Sequence, residues 1–130
     1  MSDLSERIKN AIETEPVVAF VKGTHEQAFC GNSERAMQAL RSVGVSFAAV
    51  DVLPDPQIRQ ELSALTKWPT IPQIFVGGEL VGGADIVQEL AATGELERKL
   101  DEKLGQTWRN RGDEHTIAIT DRPNPFRLVG

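Results

Sequence analysis

Cysteine is nearly absent from this sequence, because Cys30 is the only one among 130 residues. A lone thiol cannot form an internal disulfide, and it cannot supply an internal zinc site that needs two or more cysteines. A reducing compartment suits such a chain, and we expect it to be cytoplasmic. At this length the chain is about one domain, long enough to bury a core without disulfides or a structural metal.

Long apolar runs and basic clusters are lacking as well. The longest apolar stretch, residues 17–21, is far too short to cross a bilayer, and residues 1–6 lack the basic and apolar segments of a secretory signal. The net charge is -5, and the sequence contains no large basic cluster that would attract nucleic acid. We therefore expect neither a membrane nor a nucleic acid among the partners.

Helical and extended patterns alternate along the first half of the chain. Apolar residues at helical spacing predict three helices, and continuous or β-branched apolar runs predict two strands. The first strand is apolar throughout, which is typical of a central strand covered on both faces. Cys30 falls where a loop gives way to the second helix. The predicted helices span residues 3–14, about 31–43 and 55–67, and the predicted strands span residues 17–21 and 45–52.

The second half begins with a β-hairpin pattern. Two short apolar segments, residues 73–76 and 79–81, flank the two-residue turn Gly77-Gly78. One or two closing helices follow, with Gly94 as a plausible break between them. Two parallel strands joined through a helix, together with this hairpin, predict an α/β fold with a four-stranded mixed sheet flanked by helices.

Residues 105–130 differ from the rest of the chain, because glycine, asparagine and proline interrupt every period. We predict that residues 1–104 form one domain and that residues 105–130 are an extension that is loosely attached or disordered. The alternative is that the extension packs Trp108 and the stretch 117–119 near the edge of the sheet.

Cys30 is predicted to be a reactive thiol. The backbone N–H groups that begin the helix favour a thiolate, and Lys22, at the end of the first strand, can project to the same edge of the sheet. The alternative is a buried, inert cysteine. Residues 30–33 read Cys-Gly-Asn-Ser, a C-x-x-C redox motif with Ser33 in place of the second cysteine. A mixed disulfide on Cys30 therefore has to be cleared by an external thiol, most obviously glutathione.

Four motifs in order resemble the monothiol glutaredoxins of the C-G-F-S class. The resemblance covers about residues 3–104 and implies a thioredoxin-like fold. The motifs are Lys22-Gly23-Thr24, Cys30-Gly31-x-Ser33, Trp68-Pro69-Thr70-Ile71-Pro72-Gln73 and Gly82-Gly83-Ala84-Asp85-Ile86-Val87.

The resemblance implies two cofactors, glutathione and a 2Fe-2S cluster. In that family the cluster is shared by two protomers, each of which contributes its active-site cysteine, and the cysteines of two bound glutathiones complete the ligand set. Cys30 would be the ligand here, with a homodimer bridged by the cluster and apo iron-sulfur proteins as clients. A chain with one cysteine can complete four thiolate ligands only by borrowing other thiols.

The resemblance also implies the glutathione contacts. Lys22 and Arg59 match partners of the glycine carboxylate, although each is otherwise an ordinary surface cation. Thr70 and Ile71 match the loop before a cis-proline, where the backbone of Ile71 pairs with the cysteine of glutathione. The γ-glutamyl group is expected at the start of the last motif's helix, on residues Gly83, Ala84 and Asp85.

One residue departs from the family pattern, because Asn32 stands where the family carries phenylalanine. A polar amide beside the sulfur attracts water, and we predict a cluster that is weaker or exchanges faster than in an Asn32→Phe variant. The leading function is therefore cluster carriage and thiol redox homeostasis. The first alternative is a monothiol oxidoreductase that removes glutathione from proteins, an enzymatic activity we expect to be weak. The second is an interaction module that acts through the tail.

Overall fold

A computed structural model of the chain describes residues 3–110, 114–122 and 125. The helices are α1 (Asp3–Thr14), α2 (Gly31–Ser42), α3 (Pro56–Thr66), α4 (Ala84–Thr93) and α5 (Glu95–Leu104), followed by a 3-10 helix at Gln106–Asn110. The strands are β1 (Val17–Val21), β2 (Ala48–Asp51), β3 (Gln73–Val76), β4 (Glu79–Gly82) and β5 (His115–Ile117).

Strand β1 is central in a sheet with the order β4-β3-β1-β2-β5. It runs parallel to β2 and antiparallel to β3, and β3 and β4 form the predicted hairpin. Each residue of β1 is at most 2% exposed, which explains why this strand is apolar throughout. The α/β, thioredoxin-like fold predicted from the sequence is confirmed.

Two layers of helices cover the sheet because successive side chains of a strand point to opposite faces. Val17, Ala19 and Val21 belong to a core that they share with α2, α4 and α5. Val18 and Phe20 belong to a second core, which they share with α1 and α3. Helices α2 and α4 thus lie side by side on one face, where the edges of the ligand groove described below are formed.

The sheet has five strands rather than the four that we predicted. The additional strand, β5, pairs in parallel with β2, so that His115 lies opposite Ala48 and Ile117 opposite Val50. Trp108 is 1% exposed and belongs to the core on the α2 side, and Ile119 is buried in the other core. The described part of the tail therefore packs at the edge of the sheet, which was the alternative to loose attachment.

Two expectations stay predictions: the domain boundary after residue 104 and the loose attachment of residues 105–130 as a whole. Part of that tail lies outside the described residues. No helix in the described part of the chain is both long and apolar enough to span a bilayer.

Candidate functional site

Cys30 begins helix α2, as its N-cap. Its backbone is extended, with φ -149° and ψ 151°, and its Sγ accepts a hydrogen bond of 3.3 Å from the backbone N–H of Ser33. The thiol side chain thus takes the place that a serine or aspartate oxygen takes at other helix starts. A sulfur held in this position lies at the positive end of the helix.

Ser33 offers Cys30 a second hydrogen bond. Its Oγ lies 3.2 Å from Sγ and accepts the backbone N–H of Lys22 at 3.0 Å, and the residue is fully buried. A hydroxyl has one donor and two acceptor positions, so Ser33 can accept from Lys22 and still donate to a thiolate. The serine that replaces the second cysteine of the motif therefore both fixes the end of β1 and contacts the sulfur of Cys30.

A groove of about 280 Å³ opens between α2, the loop before β3 and the start of α4. A groove of this size approaches those that bind small molecules. It combines apolar walls with a few polar groups at one end. It is lined by Asn32, Arg35, Trp68, Thr70, Ile71, Pro72, Gly83, Ala84, Asp85 and Ile86.

The floor of this groove depends on close approach between two segments. The Ile71-Pro72 peptide bond is cis, and a Cβ on Gly83 would lie 3.3 Å from the carbonyl oxygen of Pro72. Glycine at this position therefore lets the start of α4 lie against the proline loop. The indole Nε1 of Trp68 is buried beside Gly83 and has no hydrogen-bond partner within the described residues.

Arg35 joins the two helices across the groove. Its Nη1 donates to Asp85 Oδ1 at 3.0 Å and to Gln88 Oε1 at 2.6 Å, and its Nη2 donates to Asn32 Oδ1 at 2.6 Å. Asn32 and Arg35 lie on α2, whereas Asp85 and Gln88 lie on α4. A positive charge with three acceptors thus sits at the polar end of the groove.

Cys30 itself lines a second, smaller groove of about 230 Å³, together with Lys22, Phe29 and Leu53. Phe29 is 36% exposed, so apolar surface lies directly beside the thiol. The backbone of Phe29 donates to the carbonyl of Lys22 at 2.7 Å, which brings the cysteine back against the end of β1.

The structure brings most of the predicted site residues together. Five of them line the first groove, namely Thr70, Ile71, Gly83, Ala84 and Asp85. Lys22 shares the second groove with Cys30. Arg59 lines neither groove, and its Nη2 donates to the carbonyl of Pro69 at 3.3 Å, immediately before Thr70. The ligand roles given to these residues stay predictions.

Arg35 was not among the site residues predicted from the sequence. Arg35 follows Asn32 by three residues, and Gln88 follows Asp85 by three, which places each pair on one face of its helix. These two polar pairs, at the starts of α2 and α4, were the signal in the sequence that could have indicated Arg35 as a site residue.

A 2Fe-2S cluster fits these residues only as a shared group. Cys30 is the only cysteine in the sequence, and the described residues contain no group of three or more histidine, cysteine, aspartate or glutamate side chains that could hold a metal ion. One chain thus supplies a single thiolate at the surface, and the remaining ligands of a four-thiolate cluster have to come from outside it.

Comparison with known proteins gives consistent results. The family model named Glutaredoxin matches residues 17–81. Glutaredoxin 4 of Escherichia coli K12 is 45% identical over 102 residues, which cover 78% of this chain and 89% of that protein. Monothiol glutaredoxin-S11 of rice is 46% identical over 99 residues, which cover 76% of this chain but only 20% of that longer protein.

Solved structures agree with the sequence matches. The solution structure of reduced poplar apo GrxS14 has a TM-score of 0.69 and 34% sequence identity, and the match covers 78% of this chain and 93% of that one. Sequence profile, relatives and fold all coincide on the segment that contains Cys30. The chain therefore belongs to the glutaredoxin family, within its monothiol class.

Proposed function

We propose that this protein binds glutathione and carries a 2Fe-2S cluster that two copies of the chain share. The observation that carries the proposal is the position of Cys30. The only thiol of the chain begins a helix, accepts a hydrogen bond from the backbone N–H of Ser33, lies 3.2 Å from the Ser33 hydroxyl and lines one groove, while Asn32, two residues later, lines the other. A peptide thiol bound along these grooves would bring its sulfur to Cys30.

The grooves suggest how glutathione would lie. Its glycine carboxylate would be held by Lys22 and Arg59, in accordance with the family pattern. The backbone of Ile71, before the cis-proline, would pair with the cysteine of glutathione, and Thr70 borders that contact. The γ-glutamyl group would lie against Gly83, Ala84 and Asp85 at the start of α4.

The cluster is cargo in this proposal. When bound, it would draw one thiolate from each of two chains and one from each of two glutathiones, because Cys30 is the only cysteine of the chain. The backbone N–H of Ser33 bonds to the sulfur of Cys30 at the helix start, and Phe29, which is 36% exposed, lines the same groove as Cys30. The clients would be apo iron-sulfur proteins, which accept the cluster by exchange of thiolate ligands.

Anaerobic reconstitution with iron, sulfide and glutathione tests this function. We expect the absorption bands of a 2Fe-2S cluster on a species with the size of a dimer, and we expect both to be lost when glutathione is left out. Cys30→Ser removes the only thiolate and is expected to abolish the cluster. The double variant Cys30→Ser, Ser2→Cys has one thiol at another position in the sequence, and it serves as the control for thiol content. A cluster that forms without glutathione, or on a monomer, would contradict the proposal.

A second function is favoured by the position of Cys30 at the start of α2, because a sulfur that accepts the backbone N–H of Ser33 there is suited to act as a nucleophile. In this reaction the Cys30 thiolate attacks the glutathione sulfur of a protein mixed disulfide, and the protein leaves as a thiolate. A second glutathione thiolate then attacks the new disulfide, which releases oxidised glutathione and restores Cys30. Turnover of a glutathionylated peptide by a preparation that forms no cluster would favour this enzyme over the carrier.

Both functions require Cys30 in the reduced state. We therefore also propose a reducing compartment, such as the cytoplasm, as the place of action. Fractionation of the native cells, followed by detection of the chain, tests this location.

A further inference from the structure

The polar end of the first groove holds an ion pair in which both charges face the groove. Arg35 and Asp85 both line it, and Nη1 lies 3.0 Å from Oδ1. The side chain of Asp85 is 89% exposed and that of Arg35 is 42% exposed. An exposed ion pair of this kind is weak and open to further partners. The groove thus presents one cation and one anion side by side.

Arg35 is held in place by neutral groups as well as by Asp85. The amide oxygens of Asn32 and Gln88 each accept from it at 2.6 Å, one from α2 and the other from α4. The guanidinium would therefore keep its position if Asp85 took another partner. This arrangement differs from a surface arginine whose only contact is one carboxylate.

The pair also retains unused hydrogen-bonding capacity. A guanidinium has five N–H donors, and Arg35 uses three of them for the described residues. The Oδ2 of Asp85 accepts no hydrogen bond within the described part of the chain, since only Oδ1 is engaged. Free donors beside a free carboxylate oxygen match a ligand that has a carboxylate and an ammonium close together.

We propose that Arg35 is a specificity-determining residue, which pairs with the α-carboxylate of the γ-glutamyl group while Asp85 pairs with its ammonium. The inference rests on the proposed binding of glutathione and adds Arg35, with Asn32 and Gln88 as positioning residues, to the predicted contacts. A γ-linked glutamate leaves both groups free on one carbon atom. The spacing of these two groups matches the adjacent charges of Arg35 and Asp85. The two ligand charges and the two protein charges then alternate in sign.

The inference separates glutathione from ordinary peptides. An α-linked glutamate keeps its ammonium, but its carboxylate lies at the far end of the side chain. The isomeric peptide α-glutamyl-cysteinyl-glycine therefore has the same groups at a different spacing. The carboxylate of that isomer therefore does not lie beside its ammonium, as the adjacent charges of Arg35 and Asp85 require.

Thiol-disulfide exchange provides the measurement. The Cys30 thiolate attacks one sulfur of a symmetrical peptide disulfide, the protein-peptide disulfide forms, the peptide disulfide breaks and one peptide thiolate leaves. The equilibrium constant of this exchange is obtained from intact-protein mass spectra, which show one product because the chain has one cysteine. The probes are the disulfides of glutathione, of α-glutamyl-cysteinyl-glycine, of 4-aminobutanoyl-cysteinyl-glycine, which lacks the α-carboxylate, and of cysteinyl-glycine.

Arg35→Gln is expected to lower the exchange constant for glutathione about tenfold, which corresponds to about 1.4 kcal/mol, because charge-assisted hydrogen bonds are lost. The constant for 4-aminobutanoyl-cysteinyl-glycine should change by less than about twofold, since that peptide has no carboxylate for Arg35. Arg98→Gln removes an exposed arginine from α5 and is the matched control, with all constants expected to remain unchanged. Arg35→Lys keeps the positive charge but loses the planar guanidinium, which can donate two parallel hydrogen bonds. This variant should retain part of the preference for glutathione over 4-aminobutanoyl-cysteinyl-glycine.

Two results would overturn the role of Arg35 alone. An equal change for glutathione and for the peptide without the α-carboxylate would indicate a structural effect, and a higher constant for glutathione would show that Arg35 blocks Asp85. If the native protein does not prefer glutathione to cysteinyl-glycine, then glutathione recognition itself fails, and the proposed function fails with it. Thermal unfolding of each variant accompanies the exchange data, so that a loss of fold is recognised.

Asn32→Ala tests the positioning role. It removes the oxygen that holds Nη2, without removing any charge. We expect about a threefold loss of the preference for glutathione over 4-aminobutanoyl-cysteinyl-glycine. An unchanged preference would contradict the role of Asn32 in holding Arg35.

Discussion

The loop before Cys30 and the helix after it are held by hydrogen bonds of two different kinds. On the loop side, the hydroxyl of Thr116 in β5 accepts the backbone N–H of His25 at 3.0 Å and lies 2.8 Å from His25 Nδ1. Arg41 joins the carbonyl of His25 to both carboxylate oxygens of Glu114. On the helix side, Arg35 spans the groove between α2 and α4.

The two sides differ in what they leave available. Around His25, backbone groups are bonded to side chains that come from distant parts of the chain, and the result is a fixed loop. Around Arg35, donors and a carboxylate oxygen stay available beside a groove. From this comparison we propose that the loop side stabilises the position of Cys30 and that the helix side serves the proposed recognition of glutathione. The following variants test this division.

The largest effect is expected from Trp108→Ala, which removes the main buried anchor of the described tail. Trp108 is 1% exposed, and its Nε1 donates to Asp101 at 2.7 Å. Removal of a buried tryptophan costs about 3–5 kcal/mol, measured here as the free energy of unfolding in urea. Trp108→Phe keeps most of the apolar contact and should cost much less. A loss below about 1 kcal/mol for the alanine variant would show that the tail is loosely attached.

Thr116→Val is expected to have a smaller effect, confined to the loop side. The variant keeps the β-branched shape but loses the hydroxyl that accepts the backbone N–H of His25. We expect the free energy of unfolding to fall by about 1 kcal/mol. Amide hydrogen exchange should become faster in residues 23–29, while the preference for glutathione over its analogues should not change. Thr14→Val, at an exposed position in α1, is the control. Unchanged exchange in the loop would mean that β5 does not hold it.

Asn32→Phe tests the helix side and the prediction about cluster lifetime. Phenylalanine supplies apolar cover near Cys30, and we expect the reconstituted cluster to be lost about threefold more slowly under a chelator. The same change removes the acceptor that holds Arg35, so the preference for glutathione should decrease. Asn10→Phe, at an exposed position in α1, controls for added surface apolarity. Equal rates of cluster loss in the variant and the native protein would disprove the effect of Asn32.

Lys103→Met provides the smallest expected effect and a reference for an exposed ion pair that lines neither ligand groove. Lys103 Nζ lies 2.6 Å from Glu79 Oε2, and this hydrogen bond and charge hold the pKa of Glu79 below its ordinary value of 4.5. The pair therefore stabilises the fold above the ordinary carboxyl pKa, and this contribution is lost as the pH falls through the lowered pKa. In the variant, the pKa of Glu79 should rise toward 4.5 in a carboxyl NMR titration. An unchanged pKa would show that the pair does not persist in solution.

Periodicity in the sequence predicted the helices and the four core strands well. Residues 17–21 form the central strand because an apolar run of this kind needs cover on both faces, and Gly77-Gly78 forms the turn of the hairpin. The break at Gly94 separates α4 from α5, and its φ of 83° explains why glycine occupies it. Local spacing decides such features, so a single sequence reveals them.

The polar bridge of Arg35 and the fifth strand depend on contacts between distant segments, and local patterns do not encode these. From the sequence, Asn32 was expected to act as a polar group beside the sulfur. In the structure its amide oxygen bonds to Arg35 and faces α4. Which faces of α2 and α4 meet is decided by the packing of both helices on the sheet. For the same reason, the sequence offered packing of the stretch 117–119 near the sheet edge as an alternative but did not reveal the pairing of β5 with β2.

Strand β5 also affects how two copies of the chain can meet. A sheet edge with unpaired backbone groups is a template on which another chain can add a strand. β5 occupies that position beside Ala48–Val50, and it has only three residues, two of them exposed. A short polar strand is a poor template for intermolecular pairing. Continuation of the sheet from one molecule to the next is therefore disfavoured at this edge.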